Sequence, residues 1–333
     1  MWIMDRETLL KIDFRLLCDE FPFTKDFFES QGLPIPEGSV AEFVANLSEE
    51  KLEDLGIEPD EFIESFVAFV DAVGSLTEKT SKIDSLRIIG GQNKFGEAED
   101  IDIEIKAGEI ICIVGPTGSG KSRLLADIEW MAMGDTPTKR HIKINGNDAD
   151  KSWRFSPEHK PVAQLSQNMN FVMDLSAKEF VLIHAESRFV TKPEEKVDLI
   201  IEKANELAGE KFDADTPVTA LSGGQSRALM IADTAFLSKS PIVLIDEIEN
   251  AGIDRKKALE LLVGEEKIVL MSTHDPILAL MGDKRLVIKN GGVSKIIETS
   301  EAEQANLTGL QELDKKLNDL RNRIRNGETL ETI

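Results

Sequence analysis

Positive charge is the first thing this sequence is short of. It carries 39 Lys and Arg against 61 Asp and Glu, a formal net charge of −22. So acidic a chain repels the phosphate backbone that a general nucleic-acid binder must neutralise, and no nucleic acid is expected as a partner. The shortage is uneven. Residues 1–80 hold 19 Asp and Glu but 6 Lys and Arg, which reads either as a solvated acidic face or as a docking surface for a basic partner. Cysteine is almost as scarce. Cys18 and Cys112 lie far apart, so neither a disulfide framework nor a cysteine metal cluster is expected, and a reducing compartment fits. Cys112 sits inside an apolar run, where a structural thiol is the expectation. No apolar run approaches the roughly 18 residues that a bilayer crossing needs. Met1-Trp-Ile-Met is followed at once by Asp5-Arg-Glu, so no signal peptide is expected either. The expected location is the cytoplasm, or the inner face of a membrane if another chain supplies the membrane part.

What is present is enough for about two domains: 333 residues, 41% of them hydrophobic. Residues 1–80 read as a small acidic all-helical domain. Leu9, Leu10, Ile12, Leu16 and Leu17 mark one amphipathic helix, Phe27 and Phe28 a second, and Val40, Phe43, Val44 and Leu47 a third after Ser39. Phe62, Ile63, Phe66, Val67, Val70 and Val73 mark a last helix after Pro59. These aromatics predict a small core rather than a ligand box. Gly74 to Ser81 reads as a polar linker. From Ile83 the pattern turns to strands: Leu86–Ile89, the strict alternation of Ile101–Ile105, and then the apolar run from Ile111. Beyond it, strands alternate with helices, and a mostly helical region runs from about Ala177 to Leu207. That alternation implies a mainly parallel sheet with function at the carboxyl ends of its strands. From Ser300 a charged helix spaces Leu307, Leu310, Leu313, Leu317, Leu320 and Ile324 by three or four. Its stripe packs either on its own domain or against a second copy.

The most informative stretch is Ile111-Cys-Ile-Val-Gly-Pro-Thr-Gly-Ser-Gly-Lys-Ser122. An apolar strand enters a glycine-rich turn, and Lys121-Ser122 opens a helical stretch from Arg123 to about Met133. Gly115, Gly118 and Gly120 permit backbone angles and close approaches that side chains would block. The turn through Pro116, Thr117 and Ser119 can then wrap a phosphate with successive backbone N–H groups, at a helix N-terminus that already favours anions. Lys121 would reach the β and γ phosphates, and the Ser122 hydroxyl would ligate Mg²⁺.

A second glycine cluster, Leu221-Ser-Gly-Gly-Gln225, completes a pattern that resembles the ATP-binding cassette (ABC) ATPases over about Leu86 to Val293. Ile242 to Glu247 resembles their Walker B strand, Ala251 to Asp254 the D-loop, Ser272 to Asp275 the H-loop, and Gln167 before Leu175–Glu179 the Q-loop. The resemblance implies an α/β P-loop NTPase fold: a mainly parallel sheet core, an antiparallel β subdomain and a helical signature subdomain over 83–299. The all-α domain precedes it, and a C-terminal helix over 300–327 follows. It also implies ATP and Mg²⁺ as cofactors. Asp246 can hold the metal through water, with Ser122 and Gln167. Glu247 can polarise the attacking water, a role worth about 10²–10⁴ in rate. His274 can donate to the γ-phosphate. Ser222 can cap its helix while Gly223 and Gly224, before Gln225, leave N–H groups open to a second anion. In the family that second site closes, with Asp254 nearby, on the nucleotide of another cassette, so the expected partner is a second copy in a head-to-tail dimer.

The departures are specific. Arg123 stands where a small hydroxyl residue is usual at the α-phosphate. The adenine-stacking residue is usually tyrosine, of which this chain has none, and Phe95 in Lys94-Phe-Gly96 is the stand-in. Asn93-Lys-Phe-Gly96 lacks the aspartate of a guanine-reading motif. The N-terminal pattern Phe21-Pro…Phe27-Phe28…Gly32-Leu-Pro resembles a small helical domain fused to some iron–sulfur and di-iron proteins. The main expectation is therefore an ATPase doing conformational work on a cytosolic protein, a metalloenzyme among the candidates. The alternative is the nucleotide-binding subunit of a membrane transporter.

Overall fold

Capping decides where the first helices begin and end. The computed structural model describes residues 5–48, 51, 56, 58–77, 83–155, 160–166, 171–188, 190, 192–247 and 252–330. Helices α1 (Arg6–Lys11) and α2 (Phe14–Glu20) replace the single helix expected over Leu9–Leu17. Ile12 is extended, and the Asp13 side chain accepts from Arg15 N to start α2, while Asp13 pairs with Ser39 in an isolated bridge. Leu9 and Leu17 are buried all the same. Helix α3 (Thr24–Ser30) follows, then α4 (Val40–Ala45), opened by a reciprocal capping box between Ser39 and Glu42. Helix α5 (Pro59–Thr77) continues through Gly74, where a linker was expected to begin. Phe14, Phe28, Phe62 and Phe66 are fully buried and pack mostly edge to face, with Phe14–Phe28 at 4.9 Å and Phe27–Phe66 at 5.2 Å between centroids. The aromatics are a core, as their spacing predicted.

The chain divides into two compact units, Met1–Lys79 with Glu179–Asp198, and Thr80–Lys178 with Leu199–Ile333. The second unit holds two sheets. Strands β1 (Ser85–Ile89), β2 (Asp102–Lys106), β4 (His141–Ile144) and β5 (Asn147–Asp148) form an antiparallel sheet in the order β2-β1-β4-β5. Its β2 alternates exposed and buried residues, as a sheet with one wet face must. Strands β3 (Ile110–Val114), β6 (Val162–Leu165), β7 (Ile242–Asp246), β8 (Ile268–Ser272), β9 (Lys284–Lys289) and β10 (Gly292–Glu298) form the other, in the order β10-β9-β3-β8-β7-β6. All but β10 are parallel. Strands β7 and β8 are buried on both faces, which is why each reads as an unbroken apolar run.

Helix α6 (Lys121–Glu129) packs with the antiparallel sheet on one face of the parallel sheet. It stops short of the expected Met133: Met131 takes a left-handed φ of 49°, and Ala132 N donates to Asp127 O. Met131 and Ala132 are buried beyond the turn, so their apolar character mimics another helical turn. Helices α9 (Gly223–Phe236), α10 (Arg255–Gly264) and α11 (Pro276–Met281) cover the other face. Helices α7 (Ala177–Ser187) and α8 (Pro193–Leu207) stand between β6 and α9 in the chain. Helix α12 (Glu301–Arg325) lies along α11, so its stripe is partly used within its own unit, while Leu313, Leu317 and Ile324 remain exposed. Among the described residues no helix is long and apolar enough to cross a membrane.

Candidate functional site

The sheet order puts the chemistry in one place. Strands β3, β8 and β7 are consecutive neighbours and parallel, so their carboxyl ends share one edge. From that edge issue the glycine turn after β3, His274 two residues after β8, and Asp246-Glu247 at the end of β7.

The glycine turn is shaped by what lies behind it. A Cβ on Gly115 would fall 2.5 Å from Ile288 O, and one on Gly120 would fall 2.9 Å from Gly291 Cα. Gly118 and Gly120 take φ of 77° and 110°, angles that glycine reaches without strain. The turn is thus wedged against the β9–β10 connection. Thr117, Gly118, Ser122 and Arg123 face outward. Lys121 is buried; its ammonium donates to Gly115 O (3.0 Å) and lies 3.0 Å from His274 Nε2. Glu247 Oε1 is 3.6 Å from the same Nε2.

Asp246 and Glu247 are held differently. Asp246 Oδ1 accepts from Ser272 Oγ at 2.5 Å, which orients the carboxylate at the strand end. Glu247 has a left-handed φ of 49°, while its N–H donates to Ser272 O (3.1 Å). A non-glycine residue in that region is strained, and such strain gathers where function aims a side chain. Whether the turn fits a phosphate can be asked of Ser119. Its Oγ is buried and has no hydrogen-bond partner among the described residues. An orphaned donor beside a lysine, at the N-terminus of α6, suits a phosphate oxygen, so the residues of this turn fit a phosphate group.

The signature turn is built as a helix start. Ser222 Oγ accepts from Gln225 N (3.3 Å), Gln225 Oε1 accepts from Ser222 N (2.8 Å), and a Cβ on Gly223 would meet open space. Asp254 caps α10 through Lys257 N, its own N–H donates to Leu207 O, and Ile253 pairs with Ala208. Phe95 is 66% exposed on a turn whose Lys94 N donates to Asn290 O (3.0 Å), beside the connection that braces Gly120. Gln167 lies outside the described residues. Lys121, His274, Asp246 and Glu247 are thus brought together at one edge, with Phe95 on its β9–β10 flank.

The family model described as ABC transporter matches residues 98–250. An uncharacterised ABC transporter ATP-binding protein of Methanocaldococcus jannaschii is 54% identical over 250 residues, 75% of this chain and 95% of that protein. The chain belongs to the ABC transporter ATP-binding family. It is an ATPase by that membership, with the mixed-sheet cassette fold expected from its motifs. The lipoprotein-releasing system ATP-binding protein of Psychrobacter arcticus is 30% identical over 57% of this chain and 86% of its own length. Among solved structures, a dimeric bacterial ABC transporter cassette matches with a TM-score of 0.50 and 25% identity, over 65% of this chain and 99% of that one.

Ser272 stood in the H-loop motif, but its hydrogen bond to Asp246 was not legible there. Two further residues lay outside the motifs. Arg255 is one: its guanidinium donates to Asp275, which caps α11 directly after His274, and to Asp314 Oδ2 on α12 (2.8 Å). The other is Arg140, fully buried among Glu99, Asp127 and the Gly291 carbonyl. Burial opposes its charge, but the hydrogen bonds and charges of Glu99 and Asp127 outweigh burial and raise its pKa.

Proposed function

We propose that this cassette is the nucleotide-binding subunit of a membrane transporter, in which two cassettes pair head to tail around two ATP molecules. The observation that carries the hydrolytic part is the meeting of Lys121, His274 and Glu247 beside Asp246 at one sheet edge. In this reading Lys121 leaves the carbonyls of its own turn for the β and γ phosphates, and Ser119 finds its partner there. Ser122 and Asp246 hold Mg²⁺, with Gln167, and the ion neutralises phosphate charge when bound. Glu247 takes a proton from the attacking water, and His274 steadies the γ-phosphate. Phe95 stacks on the adenine and Arg123 lies at the α-phosphate. Ser222, Gly223, Gly224 and Gln225, with Asp254, serve the nucleotide of the partner cassette. The open space at Gly223 supports that pairing.

The transporter assignment rests on the relatives, since a lipoprotein-releasing ATP-binding protein aligns along most of its length. It is also supported by apolar side chains exposed just after the Gln167 region: Val172 is 94% exposed, and Met173 is exposed too. One observation favours the other reading, conformational work on a cytosolic protein such as a metalloenzyme. The 54% identical relative is matched over 95% of its length by 75% of this chain, so about a quarter of the chain has no counterpart there. Glu247→Gln, held in Mg-ATP, separates the two. The transporter reading expects it in the membrane fraction with an integral membrane protein, and as a dimer by light scattering after detergent extraction. Recovery wholly in the soluble fraction overturns that assignment, and a monomer in Mg-ATP overturns the pairing.

A further inference from the structure

The Arg140 guanidinium makes four hydrogen bonds to three pieces of chain beside the nucleotide site. Nη1 donates to Asp127 Oδ2 (2.8 Å), on the helix that Lys121 begins. Nε and Nη2 donate to the two oxygens of Glu99 (2.8 and 2.9 Å), whose Oε1 also takes the N–H of Val293. Nη2 donates as well to Gly291 O (2.9 Å). Thr138 adds its hydroxyl to Asp127 Oδ2 (2.8 Å). Both carboxylates are as deeply buried as the arginine. A buried charge network of this kind adds little net stability over apolar packing, but it admits one geometry only and fails sharply when one member is changed.

What that geometry fixes is the β9–β10 turn. Asn290 and Gly291 both have left-handed φ, 52° and 83°. Gly291 N donates to Ser119 O (2.7 Å), and its Cα fills the space that a side chain on Gly120 would need. Asn290 O accepts from Lys94 N (3.0 Å), on the turn that carries Phe95. One two-residue turn therefore touches the phosphate loop on one side and the base platform on the other, and Arg140 holds it from below.

We propose that Arg140 is a positioning residue for nucleotide binding, setting the spacing between the phosphate loop and the Phe95 turn so that one ATP engages both. This rests on the reading of Phe95 as the adenine contact. Its consequence is a selective loss. Loosening Arg140 should weaken ligands that span both sites and spare those that occupy the phosphate loop alone.

The test compares Mg-ATP with Mg-tripolyphosphate by titration calorimetry on the full chain, for wild type, Arg140→Lys, Phe95→Ala and the double variant. Arg140→Lys keeps the charge but cannot make the four-way contact. It should weaken ATP by about tenfold, the scale of one charge-assisted hydrogen bond, and tripolyphosphate by less than about twofold. Hydrolysis should show a raised KM with kcat nearly kept. Phe95→Ala should weaken ATP by a similar factor, and adding Arg140→Lys to it should cost far less than the product of the two. Equal weakening of ATP and tripolyphosphate overturns the proposal and leaves Arg140 as scaffolding of the loop. Full multiplicativity of the two substitutions overturns it also. If Phe95→Ala alone leaves ATP binding unchanged, the base contact itself is wrong, and the proposal falls with it for that separate reason. Glu99→Gln, which keeps size and shape, carries the same comparison if Arg140→Lys does not fold.

Discussion

In the proposed reading Glu247 is the base, held at a left-handed backbone φ of 49° and 3.6 Å from the imidazole of His274. Glu247→Gln keeps the volume and removes the base. Phosphate release should fall by about 10²–10⁴, while nucleotide titration should show ATP affinity little changed; undiminished turnover would take Glu247 out of the mechanism. Ser272 acts one step back, through Asp246 Oδ1. Asp135 shows a different residue-level effect, at the far end of α6. The Arg154 hydrogen bond, helped by Met133 N–H, holds its carboxyl at about 2, below the ordinary 3.8. Its folded pKa is the lower one, so the unfolded chain binds the extra proton between those values. The stability it adds is complete above about pH 4 and is lost as pH falls through about 2. Arg154→Met should move the Asp135 midpoint in an NMR titration up toward 3.8, and an unmoved midpoint would refute the pairing.

Among elements, α12 is tied to the candidate catalytic edge through Arg255. Arg255 follows Asp254 in the chain and joins Asp275, next to His274, to Asp314. Arg255→Met leaves two partly buried carboxylates without their cation. Urea unfolding should show a loss of about 1–2 kcal/mol, and kcat should fall because Asp275 caps α11 where the His274 loop ends. Unchanged stability and turnover together would make the bridge ornamental. The parallel strands were legible because burial on both faces leaves unbroken apolar runs such as Ile242–Ile245. Helix α9 was legible because it opens on a capping side chain, Ser222, and α12 because its leucines recur every three or four residues. Strand β6 went unread, because four residues, Val-Ala-Gln-Leu, carry too little pattern. The β9–β10 hairpin was missed although Asn290-Gly291 between alternating residues is a strong turn signal. Arg140 could not have been found locally. In sequence it is one of the basic residues of Lys139-Arg140-His141, and its partner Glu99 lies 41 positions away.

At the scale of the whole molecule, the signature and the phosphate loop sit on one chain, yet the proposed reading makes each serve a different nucleotide. Mixing two damaged chains tests this directly. Lys121→Ala disables the phosphate loop and leaves the signature intact. Ser222→Arg places bulk and charge at the signature and leaves the loop intact. Each variant alone should hydrolyse almost nothing, because every site in either homodimer carries one fault. In an equal mixture about half of the dimers are mixed, and each mixed dimer has one sound site of two. Phosphate release should then recover to about a quarter of the wild-type rate per chain, if subunits exchange at random and the sites act independently. If loop and signature served the same nucleotide within a chain, the mixture would stay as inactive as its components. A recovery that disappears on dilution, in step with dissociation of Mg-ATP-bound Glu247→Gln dimers, would locate the sound site between subunits rather than within one.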